Sequence, residues 1–353
     1  MKILIFAVFA LLAWLALAPV PIDPVAWEAP PAPAFEGPYA VNDHLATVRR
    51  VGRSAGIGPE DVAVTANGTV YVGYEDGRIV RFVPGRGEPQ LFAHTGGRPL
   101  GLEFDPEGRL VVCDGDKGLL RIAPDGTIEV LATAANGLPF GFTNDLDIAT
   151  NGTIYFSDAS WKFGPAMKAR DDILEHGGNG RLMKYDPGTG TVTVLLDGLQ
   201  FANGVALSPD ERAVLVVQTG SYNVLRYWLD GPQAGTHEVF IDNLPGIPDG
   251  LSSNGRDTYW LALFTVRNPA LDALSSYPEL RKVVYRLPQF LQPQPAPHAF
   301  VLGLSLDGEV VHNLQHDSPD SFAPVTSVTE AGGRLYLGSL TQDTFGVFTL
   351  PAQ

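Results

Sequence analysis

Residues 58–82, GPEDVAVTANGTVYVGYEDGRIVRF, set a pattern that recurs along most of the chain. Short runs of alternating apolar and polar residues are separated by Asn-Gly and Asp-Gly, which favour tight β-hairpin turns. Residues 99–122, PLGLEFDPEGRLVVCDGDKGLLRI, repeat the same order of runs and turns. The two copies start about 40 residues apart, which is the length of one four-stranded propeller blade.

Four later units begin with a similar strand and are longer because they carry insertions. They open at Asn144, Asn203, Asp249 and near Val325. The insertions are chiefly residues 161–179 and 264–298, and no long amphipathic helix separates the repeats. Six units predict an all-β fold, a six-bladed β-propeller. The strand around Leu45–Val51 is predicted to join the last blade and close the ring, since an open edge would otherwise remain.

The composition excludes several classes of protein. The chain has 353 residues, with 24 Lys and Arg against 39 Asp and Glu, and a net charge of −15. This balance argues against a nucleic-acid partner, which requires clustered basic residues. Cys113 is the single cysteine, so the sequence excludes an intrachain disulfide and any Cys-based zinc or iron–sulfur site.

The first residues have the pattern of a membrane-targeting segment. An uninterrupted apolar run from Ile3 to Ala18 follows Lys2, and no further charge occurs before Asp23. Residues 1–22 are therefore predicted to form a signal anchor, that is, a transmembrane helix. A signal peptide cleaved after the run is the alternative.

The next segment is predicted to connect this anchor to the propeller. Residues 23–40 are rich in proline and are expected to form a semi-rigid linker, followed by the propeller in residues 41–353. The propeller is expected to face the periplasm, the extracellular space or a lumen, either anchored to the membrane or secreted. The insertion at 264–298 is expected to cover the channel, to rest on the membrane, or to pack as an ordinary blade insertion.

Polar residues stand where four of the units begin their first strand. These positions are Glu60-Asp61, Asn144-Asp145, Asn203-Gly204 and Asp249-Gly250. The first strand of each blade lines the channel of a propeller, so these side chains are expected to converge on the axis. Ca²⁺ accepts about six to eight oxygen ligands, and the lack of His and thiolate in the set disfavours zinc and copper. The set predicts a calcium site; capping of backbone groups by Asx side chains is the alternative.

Several long phrases resemble the strictosidine-synthase-like family. They are FTNDLDI at 142–148, IYFSD at 154–158, GRLMKYDP at 180–187, FANGV at 201–205 and LPGIPD at 244–249. The resemblance extends over essentially everything after residue 40. The subgroup most similar to this sequence is that of the membrane-anchored adipocyte plasma-membrane-associated proteins. The gluconolactonases and paraoxonases are more distant, and all of these are six-bladed propellers.

The resemblance implies a metal and its ligands. Four positions match the calcium ligands of the gluconolactonase group: Glu60, Asn144, Asn203 and Asp249. Two more, Asp61 and Asp145, match ligands of a second, structural calcium in paraoxonases. By the same resemblance, Asp249 is the candidate catalytic residue, which orients or deprotonates a water molecule.

Three positions depart from the catalytic patterns of these relatives. Thr326 stands where strictosidine synthases have a catalytic Glu, and Leu100 stands where paraoxonases have a catalytic His. Phe142 replaces the substrate-gripping Arg of gluconolactonases, which disfavours a sugar lactone. The predicted substrate pocket comprises Leu100, Phe142, Phe201 and Thr326, with Phe264 and Trp161 completing its walls. These aromatic residues favour an apolar substrate, and packing between blades is their alternative role.

Two functions remain open at this point. The first is a calcium-dependent hydrolase of small esters or lactones, of the arylesterase or lactonase type, in which Ca²⁺ acts as a Lewis acid. The second is a non-catalytic, calcium-stabilised propeller that serves as a binding or scaffold module, which Leu100 and Thr326 favour. Strictosidine-type condensation is disfavoured because Thr326 cannot act as the general base.

Overall fold

Six four-stranded antiparallel sheets surround a central channel. The computed structural model describes residues 2 and 6, residues 13–165 and residues 169–351. The innermost strand of each sheet contacts the innermost strands of its two neighbours, and these contacts form a closed ring. This arrangement confirms the predicted all-β, six-bladed propeller.

The first three blades follow one another along the chain. Blade 1 contains β2 (Val62–Val64), β3 (Val70–Gly73), β4 (Arg78–Phe82) and β5 (Gln90–His94). Blade 2 contains β6 (Pro99–Phe104), β7 (Leu110–Asp114), β8 (Gly118–Ile122) and β9 (Ile128–Ala132). A small hairpin, β10 (Ala134–Ala135) and β11 (Leu138–Pro139), precedes blade 3. Blade 3 contains β12 (Thr143–Ile148), β13 (Ile154–Asp158), β14 (Gly180–Asp186) and β15 (Thr191–Leu199).

The remaining blades complete the ring. Blade 4 contains β16 (Ala202–Leu207), β17 (Ala213–Gln218), β18 (Asn223–Trp228) and β19 (His237–Ile241). Blade 5 contains β20 (Gly246–Ser253), β21 (Tyr259–Val266), β22 (His298–Leu304) and β23 (Val310–Asp317). Blade 6 contains β24 (Val328–Ala331), β25 (Arg334–Leu337), β26 (Phe345–Thr349) and the N-terminal strand β1 (Arg49–Val51).

Strand β1 closes the ring as predicted. It pairs antiparallel with β26, so that Arg49 lies opposite Val347 and Val51 opposite Phe345. The last blade therefore joins strands from both ends of the chain, and the outer edge of β26 is paired. Pairing the edge removes a row of free backbone groups that could otherwise bind another chain.

The core consists of apolar layers between neighbouring blades. Between blades 4 and 5, for example, Leu215 and Val217 of β17 belong to one buried cluster with Leu261 and Leu263 of β21. Both faces of a blade are covered, so central strands such as β17 and β21 are nearly continuous apolar runs in the sequence. Complete burial of each such side chain contributes about 1.5–3 kcal/mol to folding.

Helices occur mainly in the two insertions. Among the described residues of these insertions, the α-helices are α1 (Ala169–Glu175), α2 (Pro269–Ala273) and α3 (Pro278–Arg286). Short 3-10 helices occur at Gly37–Tyr39, His44–Thr47, Thr219–Ser221 and Gln289–Leu291. Asn268 caps α2, because its side chain accepts hydrogen bonds from the N–H groups of Ala270 and Leu271. Both helices of the second insertion begin with proline, which fits the first turn of a helix.

Much of the predicted signal anchor, residues 1–22, lies outside the described residues. Within the part of the chain that the structure describes, no helix is long and apolar enough to cross a membrane. The anchor therefore stays a prediction from the sequence.

Candidate functional site

Three of the four predicted calcium ligands lie in bulges of the innermost strands. The register of pairing shifts between Thr143 and Leu146, between Ala202 and Val205, and between Pro248 and Leu251. Asn144, Asn203 and Asp249 occupy these three bulges, and Glu60 lies just before β2. A bulge bends a strand and re-aims its side chains. This local geometry turns the polar residues of separate blades toward one point near the axis.

The glycines that follow two of these ligands let the inner strands approach closely. A Cβ atom on Gly204 would lie 2.7 Å from the carbonyl oxygen of Asp249, and one on Gly250 would lie 2.5 Å from that of Thr326. Real Cβ contacts are not that short, so a larger residue would force the blades apart. The Asn-Gly and Asp-Gly pairs thus combine a candidate ligand with a position that only glycine fits.

The four predicted ligands lie between two cavities. Glu60, Asn144 and Asn203 line one end of a narrow axial channel of about 190 Å³. The same three side chains, together with Asp249, line a larger pocket of about 400 Å³ above the channel. The structure therefore brings together all four residues that the sequence singled out.

Hydrogen bonds link two of these side chains. Asn203 Nδ2 donates to Asp249 Oδ1 over 2.6 Å and to the hydroxyl oxygen of Thr219 over 3.1 Å. Among the described residues, no donor reaches Asn203 Oδ1, and none reaches the Glu60 carboxylate. Asn203, Asp249 and Glu60 are nevertheless buried. Oxygen atoms of buried residues that open onto a cavity and lack donors are suited to binding a cation.

The electrostatics of the cluster also favour a cation. Burial raises the pKa of Glu60 well above its usual value, and the negative charges of Asp249 and Asp61 raise it further, against the opposing effect of Arg98. Burial likewise raises the pKa of Asp249 to about 7, although the hydrogen bond from Asn203 acts in the opposite direction. Each shift reports that the ionised carboxylates lack compensating positive charge.

These residues fit a calcium ion. The described residues contain no group of three or more His, Cys, Asp or Glu side chains arranged to hold a metal, so a cation here depends on amide oxygens as well. Asn144 and Asn203 supply two amide oxygens, and Glu60 and Asp249 supply two carboxylates. Water would complete the roughly six to eight oxygens that Ca²⁺ requires.

The predicted ligands of a second calcium make contacts between blades. Asp61 Oδ2 accepts a hydrogen bond from the N–H of Leu102, and Asp145 Oδ2 accepts one from the N–H of Val205, each over 2.8 Å. Both carboxylates thus join the innermost strand of one blade to that of the next. The second calcium stays a prediction, while the observed contacts give both residues a structural role.

Most of the predicted pocket residues lie where the sequence placed them. Leu100, Phe142, Phe201 and Phe264 line the larger pocket. Phe142 and Phe201 pack edge to face, with ring centroids 5.5 Å apart. These side chains give the pocket an apolar wall above a polar floor.

Two predicted pocket residues lie elsewhere. Thr326 lines the narrow channel instead, and its hydroxyl donates to the carbonyl oxygen of Glu60 over 2.7 Å. Trp161 is 42% exposed and does not line the larger pocket. The sequence placed Thr326 in the pocket through the resemblance to a catalytic Glu, and the structure places it at the adjoining channel. Trp161 lies in an insertion, whose path the repeat does not determine.

A buried ion pair that the sequence analysis missed fixes the wall at Phe142. Asp158 Oδ1 accepts hydrogen bonds from the N–H groups of Gly141 and Phe142, over 3.1 and 2.7 Å. The other oxygen of Asp158 pairs with Arg181 over 2.5 Å, and both side chains are almost fully buried. Asp158 and Arg181 both lie in the family motifs quoted in the sequence analysis. A charged residue at the end of an otherwise apolar strand was the signal that could have revealed this ion pair.

The described residues of the two insertions form a roof over the larger pocket, and "the roof" denotes residues 161–165, 169–179 and 264–298 below. Parts of both insertions line the pocket, from Ala169 to Leu174 and from Phe264 to Ala296. Arg170 Nη1 donates to Gln292 Oε1 over 2.7 Å and so connects the two insertions. Of the three alternatives for the second insertion, the structure supports a cover over the site.

The N-terminal residues 18–31, called the strap below, run across the roof. They contain no helix or strand. The N–H of Val25 donates to the Glu175 carbonyl over 2.8 Å, and the N–H of Trp27 donates to the Ser275 carbonyl over 3.2 Å. Glu175 belongs to the first insertion and Ser275 to the second. The strap therefore holds both halves of the roof, although the sequence assigned residues 18–22 to the end of the anchor and residues 23–31 to a linker.

Two arginines of α3 bind the backbone of the strap and its neighbours. Arg286 Nε donates to the Ala18 carbonyl over 2.7 Å. Arg281 donates to the carbonyls of Leu174, over 2.9 Å, and of Val25. Arg281 is only 3% exposed, so its guanidinium depends on these carbonyls for hydrogen bonds.

His176 makes the packing of the strap sensitive to acid. Its ring stacks on Trp27 with centroids 4.2 Å apart. Burial, aided by the positive charge of Arg281, lowers the pKa of His176 from 6.5 to about 4. The unfolded chain therefore binds a proton as the pH falls below 6.5, whereas the folded chain does not until about pH 4. We expect stability to fall across this window by up to about 3 kcal/mol, at about 1.4 kcal/mol per pH unit.

The His176→Phe variant keeps an aromatic ring against Trp27 and removes the titrating group. The free energy of unfolding, measured by urea denaturation from pH 7 to pH 4, is expected to fall less for this variant than for the unmodified protein. The matched control is His237→Phe, because His237 is exposed on β19. Parallel pH profiles for His176→Phe and the unmodified protein would contradict this assignment.

Comparison with known proteins identifies the family. The strictosidine synthase-like N-terminal model matches residues 37–82, and the strictosidine synthase model matches residues 144–232. Protein STRICTOSIDINE SYNTHASE-LIKE 10 of Arabidopsis thaliana is 38% identical over 341 residues, which cover 87% of this chain and 89% of that protein. The chain belongs to the strictosidine synthase-like family. The resemblance drawn from the sequence motifs is thereby confirmed.

Other members and solved structures agree with this assignment. Adipocyte plasma membrane-associated protein of Bos taurus is 34% identical over 361 residues, covering 95% of this strictosidine synthase-like chain and 86% of that protein. A gluconolactonase of Xanthomonas campestris superposes with a TM-score of 0.63 at 20% identity, covering 95% of this chain and 98% of that one. Regucalcin of Agrobacterium tumefaciens, a calcium-binding protein, gives 0.60 at 17%, covering 85% and 94%. At these identities the two structures support the fold alone.

Proposed function

We propose that this strictosidine synthase-like protein is a calcium-dependent hydrolase of apolar esters or lactones. One observation carries the proposal: the side chains that fit a calcium ion form the floor of an apolar, roofed pocket. A substrate held by the apolar walls would place its carbonyl group against that floor. Pockets that combine apolar walls with a few convergent polar groups are the usual sites of small-molecule chemistry.

All four floor residues hold the cation in this proposal, and Asp249 has a second role. The other three ligands are Glu60, Asn144 and Asn203. When bound, Ca²⁺ would polarise the substrate carbonyl as a Lewis acid and stabilise the developing oxyanion. Asp249 orients a water molecule and accepts its proton as the water oxygen bonds to the carbonyl carbon. The carbon–oxygen bond to the leaving alcohol then breaks, and the proton passes from Asp249 to the alcohol oxygen.

The shape of the pocket indicates the class of substrate. Its volume of about 400 Å³ suits an aryl ester or a lactone with an alkyl chain. Phe142, Phe201 and Phe264 supply apolar surface, and a sugar would leave its hydroxyl groups without partners against them. We therefore expect an apolar substrate to react faster than a sugar lactone.

We also propose that the protein is associated with a membrane. Its vertebrate relatives are named as plasma membrane-associated, and the apolar run within residues 1–22 is the segment of this chain that would insert. The propeller would then lie outside the cytoplasm, with the strap connecting the membrane segment to the roof.

A second candidate function is a calcium-stabilised module that binds a small molecule or a partner without turnover. The specific observation in its favour is chemical: Leu100 and Thr326 occupy positions where relatives have catalytic His and Glu. The Thr326 hydroxyl is also engaged with the Glu60 carbonyl. In this alternative the calcium would join blades 1, 3, 4 and 5, with no water activated beside it.

A substrate panel separates the two candidates. The full chain with Ca²⁺ would be assayed with phenyl acetate, an aryl ester of a medium-chain acid, an alkyl-substituted δ-lactone and gluconolactone. We expect turnover of the apolar esters or the alkyl lactone at rates at least about tenfold above that of gluconolactone. A folded protein that binds Ca²⁺ and turns over none of the four would favour the non-catalytic module.

A further inference from the structure

We propose that Thr219 is a positioning residue that orients Asn203 for calcium binding. This inference rests on the proposed calcium site described above. Thr219 begins the 3-10 helix that follows β17, is 4% exposed, and lines the larger pocket. No sequence motif drew attention to it, since it contributes no charge and lies outside the bulges.

The orientation of the Asn203 amide depends on two acceptors. An Asn side chain carries two N–H donors on one atom and an acceptor on the other. Asn203 Nδ2 donates to Asp249 Oδ1 and to the Thr219 hydroxyl oxygen, so both donors are engaged. Asn203 Oδ1, which no described donor reaches, is left as a free ligand oxygen at a residue that lines both cavities.

The opposite orientation of the amide is unfavourable in this setting. Rotation by half a turn would place Asn203 Oδ1 against the carboxylate of Asp249 and present the N–H groups to the cation site. A cation would then meet donors instead of an oxygen. Asp249 opposes this rotation because one of its oxygens accepts a hydrogen bond from Asn203 Nδ2. The same carboxylate is a proposed calcium ligand, so the cation competes for that oxygen. Thr219 supplies a second partner that the cation does not use: its hydroxyl accepts from Nδ2 and holds the amide in the orientation that the negative charge of Asp249 selects.

Partners that orient metal ligands usually affect affinity strongly. Loss of such a partner typically weakens metal binding about 10- to 100-fold. Valine has nearly the shape of threonine without the hydroxyl, so Thr219→Val removes the acceptor with little change in packing. Serine keeps the hydroxyl, so Thr219→Ser is expected to restore binding.

The test is a calcium titration by calorimetry on the full chain after removal of metal by a chelator. We expect the Kd for Ca²⁺ to rise at least about tenfold in Thr219→Val and to stay within about threefold of the unmodified value in Thr219→Ser. The matched control, Thr258→Val, removes a buried hydroxyl that donates to Asp257 at the far end of blade 5, and its Kd should be unchanged. The calcium-dependent rise in Tm is expected to be smaller for Thr219→Val than for Thr219→Ser, Thr258→Val and the unmodified protein.

A second background checks that the effect passes through Asn203. In an Asn203→Asp variant both side-chain oxygens are equivalent, so orientation by Thr219 is no longer required. Adding Thr219→Val to this background is expected to change the Kd for Ca²⁺ less than about threefold. The effects of the substitutions at positions 203 and 219 on the Kd are therefore expected to be strongly non-additive. Should Thr219→Val fold poorly, Thr219→Ala in both backgrounds gives the same comparison.

The outcomes separate this inference from the function on which it rests. If the unmodified protein binds Ca²⁺ and Thr219→Val binds it equally tightly, Thr219 has no positioning role, and the calcium site stands. An equal loss of affinity in the unmodified and the Asn203→Asp backgrounds would also overturn the inference, since the effect would then not depend on the amide. If the unmodified protein binds no Ca²⁺, both the inference and the proposed metal-dependent function are wrong.

Discussion

The Asp249→Asn variant is expected to lose about 10²- to 10⁴-fold in kcat toward the apolar ester that the protein hydrolyses fastest, because it loses its general base. Asparagine keeps the size of the side chain and an oxygen that can accept the Asn203 hydrogen bond. The amide cannot accept a proton from water. KM should change much less than kcat, since the walls of the pocket are intact.

The same variant is expected to be more stable than the unmodified protein when calcium is absent. Burial raises the pKa of Asp249 to about 7, so the folded chain holds the ionised form unfavourably. A carboxyl group with a raised pKa contributes stability at low pH and loses it as the pH rises through the folded value. At pH 8 without metal, Asp249→Asn should therefore show a higher Tm, measured by differential scanning calorimetry.

Two controls make this result specific. Glu60→Gln removes a charged ligand that is not the proposed base, so it should weaken calcium binding and lower activity in a way that excess Ca²⁺ partly restores. Excess Ca²⁺ should not restore Asp249→Asn. An Asp249→Asn protein with the kcat of the unmodified chain would rule out Asp249 as the base.

Removal of the strap is expected to loosen the roof and to leave the propeller folded. A chain that begins at residue 32 lacks the N–H donors of Val25 and Trp27 and the carbonyl that Arg281 binds. Each lost buried hydrogen bond costs about 0.5–1.5 kcal/mol, and the buried Arg281 also loses an acceptor. We expect amide hydrogen exchange in α1 and in residues 264–298 to become at least about tenfold faster.

The effect on catalysis should follow from the same loosening. The roof lines one side of the substrate pocket, so KM is expected to rise by roughly an order of magnitude while kcat changes less. A chain that begins at residue 13 keeps the strap and is the matched control. Unchanged exchange and unchanged KM in the chain that begins at residue 32 would show that the strap does not hold the roof.

The repeats carry most of the information about the fold. Hairpin signals such as Asn67-Gly68 and Asp76-Gly77 recur along the chain in the same order of short strands, and five of the six blades are built from neighbouring segments of the chain. The closing strand was also predictable, because a propeller needs one more strand and the segment before residue 52 offered one. Local periodicity is sufficient when contacts are local, and the blades of a propeller contact mainly their neighbours.

The candidate ligands were predictable for a related reason. Equivalent places in a repeat lie at equivalent places around the axis, so polar residues at the start of the first strand had to converge. Thr326 was assigned to the pocket through the resemblance to a catalytic Glu, and that resemblance does not tell which of two adjoining cavities a residue lines. Its place at the channel depends on a contact with the Glu60 carbonyl, between residues far apart in the sequence.

The roof and the strap could not be predicted from periodicity. Their contacts join residues that are far apart in the sequence, such as Val25 with Glu175 and Arg286 with Ala18. Most of these contacts use backbone carbonyl and N–H groups, which every residue carries, so side-chain identity gives little signal. Thr219 escaped notice for a similar reason, since its hydroxyl matters only through the orientation of a neighbouring amide.

The central claim is that a bound calcium ion at the floor of the pocket supports ester hydrolysis. The most direct test measures the initial rate of aryl ester hydrolysis by the full chain with Ca²⁺, after chelation, and after Ca²⁺ is restored, with Tm recorded in each state. Our account predicts that the rate falls by at least about 100-fold on chelation, returns with Ca²⁺, and does so while the protein remains folded. An undiminished rate in chelator, with the protein folded and free of metal, would contradict it.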